Sequence, residues 1–215
     1  MAVSQFVSKQ TIVNGVTFAP NNFTAELDHT KFPDEFHMVQ DFLASSPISY
    51  ALTQPSTVSF KSVMQLWRTA DFGEESVSKK LQMTFEYNDN TYLVTPDVVE
   101  EALHLPKMGA FISDSITDAA LFAMVKQLGY NGEVTKFGSL FRKKLKQEWN
   151  FFFDTITRCF MNKTSNFDAL PRGFLTIGYS LIHSKCFDFG SFILKSLFER
   201  KTENMVLYAM LDFFN

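Results

Sequence analysis

Several features that mark common functional classes are scarce or absent in this 215-residue sequence. Cys159 and Cys186 are the only cysteines, too few for a disulfide framework or a cysteine-based zinc site. No apolar run reaches about 18 residues, so the sequence predicts no membrane span. The N-terminus combines neither a basic stretch nor a continuous apolar core, which argues against a secretory signal. We therefore expect a cytoplasmic or nuclear protein that is not secreted.

Catalytic and cofactor motifs are also missing. The nine glycines are scattered and form neither a phosphate-binding loop nor a dinucleotide fingerprint. The sequence contains no nucleophile elbow and no zinc-protease motif. Its four histidines share no metal-binding spacing; they are His29, His37, His104 and His183. We expect no cofactor, no metal and no enzymatic activity.

Phenylalanine dominates the aromatic residues, with 25 Phe against 2 Trp and 6 Tyr. Because its ring has no polar group to satisfy, phenylalanine suits a dry core or a dry partner surface. The formal net charge is −3, so the chain as a whole does not attract nucleic acid or an anionic membrane. Any contact with RNA must therefore come from a local basic patch.

The clearest strand signal lies near residues 79–94. Leu81, Met83, Phe85 and Tyr87 alternate with polar residues, which is typical of a half-buried strand. Residues 88–90 favour a turn, and residues 91–94 can return as the partner strand. The sequence thus predicts a mainly α (α+β) fold: a multi-helix globular domain with one small antiparallel β-hairpin.

Helical patterns cover much of the remaining chain. Thr95 and Pro96 are typical of a capped helix start, and Pro106 ends that helix. Residues 133–136 are predicted to be a short extended piece. Helices are predicted to begin near residues 33 and 47 and to cover residues 58–70, 95–106, 117–128, 139–161, 172–184, 188–200 and 203–214.

Domain organisation follows from the same patterns. Residues 1–32 are predicted to be an N-terminal extension, in which Asn14-Gly15 favours a hairpin across Ile12–Phe18. Residues 33–215 are predicted to be a single helical domain. If this domain divides, residues 106–116 are the expected boundary, because they interrupt the helical pattern.

One basic segment is a candidate nucleic-acid contact. Arg142, Lys143, Lys144 and Lys146 precede an aromatic run at 149–153. Basic groups beside aromatic rings suit a single-stranded nucleic acid, with charges for phosphates and rings for bases. The same run also suits a nuclear import signal. The alternative is the solvated face of an amphipathic helix whose aromatic stripe is core.

Two further features are candidate protein interfaces. At about 100° per residue, Phe151 points away from the apolar stripe of the 139–161 helix, so it needs a second packing surface or a partner. The predicted 203–214 helix is apolar around nearly its whole circumference. Such a helix plugs the core, docks on another subunit or belongs to a longer chain. Its candidate interface residues are Met205, Leu207, Tyr208, Leu211 and Phe214.

Seven segments, in consistent order across about residues 36–200, carry a family resemblance. They are Phe36–Ile48, Leu66–Ala70, the predicted hairpin near 79–94, Val98–Leu105, Leu128–Gly132, Glu148–Ile156 and Phe187–Leu194. In these segments the chain resembles the "putative plant transposon protein" family, which is associated with retrotransposons in daisy-family genomes. Residues 95–106 also resemble the plant mobile domain faintly. The resemblance implies a mobile-element origin and brings no catalytic residues with it.

Three functions remain open. The first is a transposable-element-derived protein, gag-like or accessory, that acts by self-association and RNA contact without catalysis. The second is a host protein-interaction or regulatory module that does not bind nucleic acid. The third is an enzyme whose active residues come together from distant segments, which a polar pocket with shifted pKa values would favour.

Overall fold

The computed structural model describes residues 6–8, 12–13, 16–17, 23–54, 60–107, 116–161 and 168–199. The protein is mainly helical with a small antiparallel sheet, so the predicted fold class is confirmed. The chain forms two compact units, and neither is continuous in sequence. The first unit combines Met1–Ser56 with Met108–Phe187, and the second combines Thr57–Lys107 with Asp188–Asn215.

The described strands and helices are named here in chain order. They are β1 (Phe6–Ser8), β2 (Ile12–Val13), β3 (Val16–Thr17), β4 (Phe23–Ala25), α1 (His37–Ser45), α2 (Ser49–Thr53), α3 (Phe60–Thr69), β5 (Asp71–Glu74), β6 (Leu81–Tyr87), β7 (Asn90–Val94), α4 (Pro96–Ala102), α5 (Asp118–Gln127), α6 (Gln147–Met161), α7 (Arg172–Ile182) and α8 (residues 189–199).

The N-terminal strands form two antiparallel pairs. β2 pairs with β3, with Val13 opposite Val16, which confirms the predicted hairpin. β1 pairs with β4, which in turn packs against α2 and α6. Ala25 at the end of β4 and Phe32 shortly after it are both buried. Residues 25–32 therefore contribute to the core of the first unit.

The core of the first unit is built around α6, which packs against α1, α2 and α7. Phe152, Phe153 and Ile156 of this helix have no exposed surface. Gly178 of α7 lets the two helices approach, because a Cβ there would lie 2.6 Å from the Phe153 ring. That distance is too short for any side chain at residue 178. The close spacing of α6 and α7 therefore requires glycine at this position.

The second unit contains the sheet, in the order β5-β6-β7, with both pairs antiparallel. Asn88 and Asp89 have φ values of +49° and +63° and form the two-residue turn between β6 and β7. The predicted hairpin near 79–94 is thus confirmed. The core of the second unit comprises Ala70, Met83, Val99 and Leu194, with partly buried apolar residues packed around them.

Capping residues set the predicted starts of two helices. The Thr95 hydroxyl accepts a hydrogen bond from the Val98 amide at the start of α4, and Pro96 takes the first helical position. Thr117 caps α5 in the same way through the Ala120 amide. Both predicted helix starts are confirmed. They could be predicted because each cap depends only on residues within one turn.

The predicted continuous helix over 139–161 is wrong in its first third. Residues 142–144 form a 3-10 turn, Leu145 is extended, and α6 begins at Gln147. The backbone of this segment forms a hydrogen bond to a distant part of the chain, in which the Arg142 amide donates to the Asp168 carbonyl. Residues 133–136, predicted to be extended, form no strand, and the predicted 203–214 helix lies outside the described residues.

Candidate nucleic-acid interface

Arg142, predicted to contact nucleic acid, is buried and does not face solvent. Its guanidinium donates to the Asp154 carboxylate of α6, to which Arg158 also donates at 3.1 Å. Burial and, to a smaller extent, the charge of Arg158 lower the pKa of Arg142 to about 10, and Asp168 partly opposes them. The prediction for Arg142 is therefore wrong, because its charge is used inside the first unit.

Lys143, Lys144 and Lys146 are exposed. Residues 142–144 form a 3-10 turn and Leu145 is extended. In this backbone conformation the side chains of Arg142 and Leu145 are buried and those of the three lysines are exposed. The Asn131 amide donates to the Lys144 carbonyl at 2.8 Å and fixes the segment to the neighbouring loop. The fold therefore presents three cations from four consecutive residues.

Two glycines in that loop allow the lysine side chains to cross it. A Cβ at Gly129 would lie 2.7 Å from Cε of Lys146, and one at Gly132 would lie 3.2 Å from Nζ of Lys144. Gly129 also has a φ of +76°, which favours glycine. The aliphatic part of Lys146 thus rests directly on the loop backbone. This packing limits the freedom of the side chain and holds its ammonium group in place.

Aromatic rings flank two of the lysines. Lys144 Nζ lies 6.0 Å from the Tyr130 ring centroid, and Lys143 Nζ lies 5.9 Å from that of Phe141. Tyr130 is buried, and its hydroxyl accepts from the Phe141 amide at 3.0 Å. Phe141 is 37% exposed, with the Lys143 ammonium group over its ring. The sequence pattern placed Phe141 on the apolar stripe of a helix over 139–161, whereas α6 begins at Gln147, so Phe141 is not part of that helix.

No described carboxylate lies within ion-pair distance of the three lysine ammonium groups. The basic cluster, which we define as Lys143, Lys144 and Lys146, is thus uncompensated at short range. It differs in this respect from Arg142, whose charge is matched by Asp154. Against a net charge of −3, it is a local patch of the kind that phosphate binding requires.

The structure does not place Phe151 at an interface. Its side chain is only 4% exposed, and its ring centroid lies 5.6 Å from that of Phe32 and 5.5 Å from that of Phe36. The second packing surface that its helix position required comes from the same chain, so the interface prediction for Phe151 is wrong. The other predicted interface residues lie outside the described residues: Met205, Leu207, Tyr208, Leu211 and Phe214.

Cysteine and histidine side chains are further candidates for chemistry in the described segments. Burial raises the pKa of the Cys159 thiol to about 12, so it carries no thiolate near neutral pH. His29 and His37 stack with ring centroids 4.3 Å apart, a pairing that sequence spacing did not indicate. Within the described ranges, no three His, Cys, Asp or Glu side chains are grouped to hold a metal ion.

The second unit contains a cleft of about 340 Å³. It is lined by Glu75, Ser78, Lys80, Leu81, Gln82, Leu93, Thr95, Pro96 and Asp97. Several of its polar groups have structural partners: Ser78 donates to Glu75, and Thr95 caps α4. Glu75, Ser78 and Thr95 therefore have structural roles at this cleft.

Glu100 has the shifted pKa that an enzyme hypothesis looks for, but it is not among the residues that line the cleft. It is 3% exposed, and burial raises the pKa of its carboxyl. The Gly190 amide donates to it at 3.4 Å, and nearby Asp188 accepts from the amide and hydroxyl of Ser191. These carboxyl groups hold the start of α8, which is a structural role.

In the part of the chain that the structure describes, no helix has the length and apolar character to cross a membrane. Comparison with known proteins adds no relative to these observations. No protein-family model, curated protein or solved structure matches this chain.

Proposed function

We propose that this protein is a non-enzymatic binding protein that contacts single-stranded RNA through Lys143, Lys144 and Lys146, with Phe141 as a stacking ring. One observation carries the proposal: three exposed lysines lie on four consecutive residues, and no described carboxylate neutralises them. Catalytic chemistry has no comparable support.

Phosphate contact supplies the charge-dependent part of the affinity. Each phosphate that is neutralised on a single strand contributes a slope of about −0.7 to the plot of log K against log salt concentration. Three lysines therefore predict a slope of about −2. Three contacts also predict weak binding that is strongest at low salt. An aromatic ring beside the charges adds stacking that does not depend on base identity.

The test is fluorescence anisotropy with a labelled oligouridine, measured over a range of salt concentrations. The triple substitution Lys143→Ala, Lys144→Ala and Lys146→Ala should lower the affinity and bring the salt slope near zero. Since Phe141 carries no charge, Phe141→Ala should weaken binding and leave the slope unchanged. The proposal is wrong if the triple variant binds as wild type does.

A matched control changes the net charge equally at other sites. Lys107, Lys185 and Lys195 are also exposed, and their replacement by alanine removes three positive charges as well. This variant should retain the affinity and most of the salt slope. An equal loss in both triple variants would mean that binding is a general charge effect and that the basic cluster is not a site.

The host interaction module loses its main motivation. That hypothesis predicts an exposed apolar patch with Phe151 as a candidate member, and Phe151 is buried against Phe32 and Phe36. An interaction module that uses other apolar residues remains a prediction. The transposable-element origin, gag-like or accessory, remains a proposal that rests on the family resemblance. Self-association through residues 205–214 also remains a prediction.

A further inference from the structure

Among the described strands of the second unit, the outer edge of β7 has no neighbour. β7 is the last strand in the order β5-β6-β7, and no other described strand pairs with it. Residues 90–93 are exposed, with Tyr92 at 44% and Leu93 at 53%. An exposed edge of this kind offers unpaired backbone donors and acceptors to another strand.

The register identifies which backbone groups face outward. Asn90 pairs with Tyr87 across the two-residue turn. In such a hairpin the pair next to the turn exchanges hydrogen bonds, and the pattern then alternates along the strands. Tyr92 and Val94 therefore bond to β6, whereas the amide and carbonyl groups of Thr91 and Leu93 point away from the sheet.

The two edges of the sheet differ in charge. The β5 edge contains Asp71 and Glu74, both exposed, and these would repel a second copy of the same strand. Charges of this kind normally protect an edge from pairing. The β7 edge, residues 90–94, contains no charged residue. Two copies can therefore approach along β7 without like-charge repulsion between the paired residues.

We propose that two copies of this chain associate by antiparallel pairing of their β7 strands about a twofold axis at Tyr92. This inference goes beyond RNA contact and assigns self-association to a surface other than residues 203–214. Thr91 then lies opposite the partner's Leu93, and Leu93 opposite the partner's Thr91. The outward groups of these residues form four backbone hydrogen bonds.

The same symmetry places Tyr92 directly opposite the partner's Tyr92. Because the outward-facing Thr91 and Leu93 form the hydrogen-bonded pairs, the Tyr92 pair is of the closer, non-hydrogen-bonded type. The two three-stranded sheets become one sheet across the axis. A five-residue edge buries less surface than the roughly 1,000 Å² typical of a stable complex, so the association is weak and depends on concentration.

Cysteine crosslinking of the full chain tests the register. Tyr92→Cys places two thiols at a Cα separation of about 4.5 Å, which permits a disulfide under mild oxidation. Asn90→Cys is the matched control, because it lies about 13 Å along the strand from the partner's Asn90. The wild-type chain provides the background from Cys159 and Cys186. We expect a disulfide-linked dimer from Tyr92→Cys and no increase over wild type from Asn90→Cys.

Light scattering on a sizing column tests the surface independently. The mass of the wild-type chain should rise with concentration, whereas Leu93→Lys should remain a monomer. Val98→Lys changes another exposed apolar residue of this unit and should behave as wild type does. Circular dichroism should show both variants folded, since each side chain is exposed.

Three outcomes overturn the proposal. A wild-type monomer at every concentration rules out self-association altogether. A wild-type multimer that persists in Leu93→Lys, without crosslinking of Tyr92→Cys, assigns self-association to another surface. Equal crosslinking of the Tyr92→Cys and Asn90→Cys variants indicates random collision. None of these results bears on RNA binding by the basic cluster, so the two proposals fail separately.

Discussion

Replacement of Phe151 by alanine separates a core role from an interface role. The side chain is 4% exposed and lies against Phe32 and Phe36, so its removal leaves a cavity in the first unit. Loss of a buried phenylalanine costs about 3–5 kcal/mol, part of which comes from the two aromatic contacts. For a chain of this length, the corresponding decrease in Tm is roughly 6–20 °C.

The assay is urea denaturation followed by tryptophan fluorescence. Trp67 and Trp149 are the only tryptophans, and they lie in different units. In a Trp67→Phe background, Trp149 reports on the first unit, because it lies on α6 with its ring 5.7 Å from that of Phe152. This choice avoids treating two units as one cooperative transition.

Phe141→Ala is the matched control, since Phe141 belongs to the same unit and is 37% exposed. We expect it to lower the free energy of unfolding by no more than about 1 kcal/mol. Phe151→Leu covers the case in which the alanine variant does not fold, with an expected loss of about 1–2 kcal/mol. The reasoning would be refuted if Phe151→Ala were no more destabilising than Phe141→Ala.

Three further substitutions test buried contacts. Gly190→Ala places a Cβ on the Pro96 carbonyl, so the free energy of unfolding should fall by about 3 kcal/mol; an unchanged urea midpoint would contradict this close approach. Burial raises the pKa of Glu100 in the native protein above its ordinary value of 4.5. The contribution of Glu100 to stability is therefore fully present below pH 4.5 and is lost as the pH rises through the raised native pKa. Glu100→Gln should remove this loss, and parallel Tm profiles of variant and wild type would argue against it. Arg142→Ala takes away one of two cationic partners of Asp154 and leaves Arg158, so we expect a loss of about 1.5–3 kcal/mol with an unchanged salt slope for RNA binding. Weaker RNA binding without destabilisation would return Arg142 to the binding site.

Local signals predicted most of the secondary structure correctly. The alternation in β6 and the cap at Thr95 each depend on neighbouring residues, so the sequence contains what is needed to recognise them. β5 is different, because Phe72 is its only large apolar residue and no alternation marks it. It forms a strand because β6 offers a pairing edge, which is a tertiary cause.

The start of α6 shows how tertiary contacts override a local pattern. The spacing of Phe141 and Leu145 continues the apolar stripe of the helix and predicts a start near 139. In the structure, the Arg142 amide bonds to the Asp168 carbonyl, and the Lys144 carbonyl accepts from Asn131. These partners lie in loops outside the helix, so periodicity within the segment contains no information about them. Helix propensity is a weak preference that such contacts outweigh.

Tertiary contacts also decide which residues of the basic run 142–146 are exposed. Four basic residues within the five positions 142–146 do not reveal which of them turns inward. Asp154 provides a signal, because a carboxylate between the apolar Phe153 and Ile156 needs a buried cation to offset its desolvation. Arg142 and Arg158 both meet that need, and arginine suits a buried pair better than lysine because its guanidinium is less strongly hydrated. Once Arg142 is assigned to Asp154, the remaining charges of the run are those of the three exposed lysines, which are the residues of the proposed RNA contact.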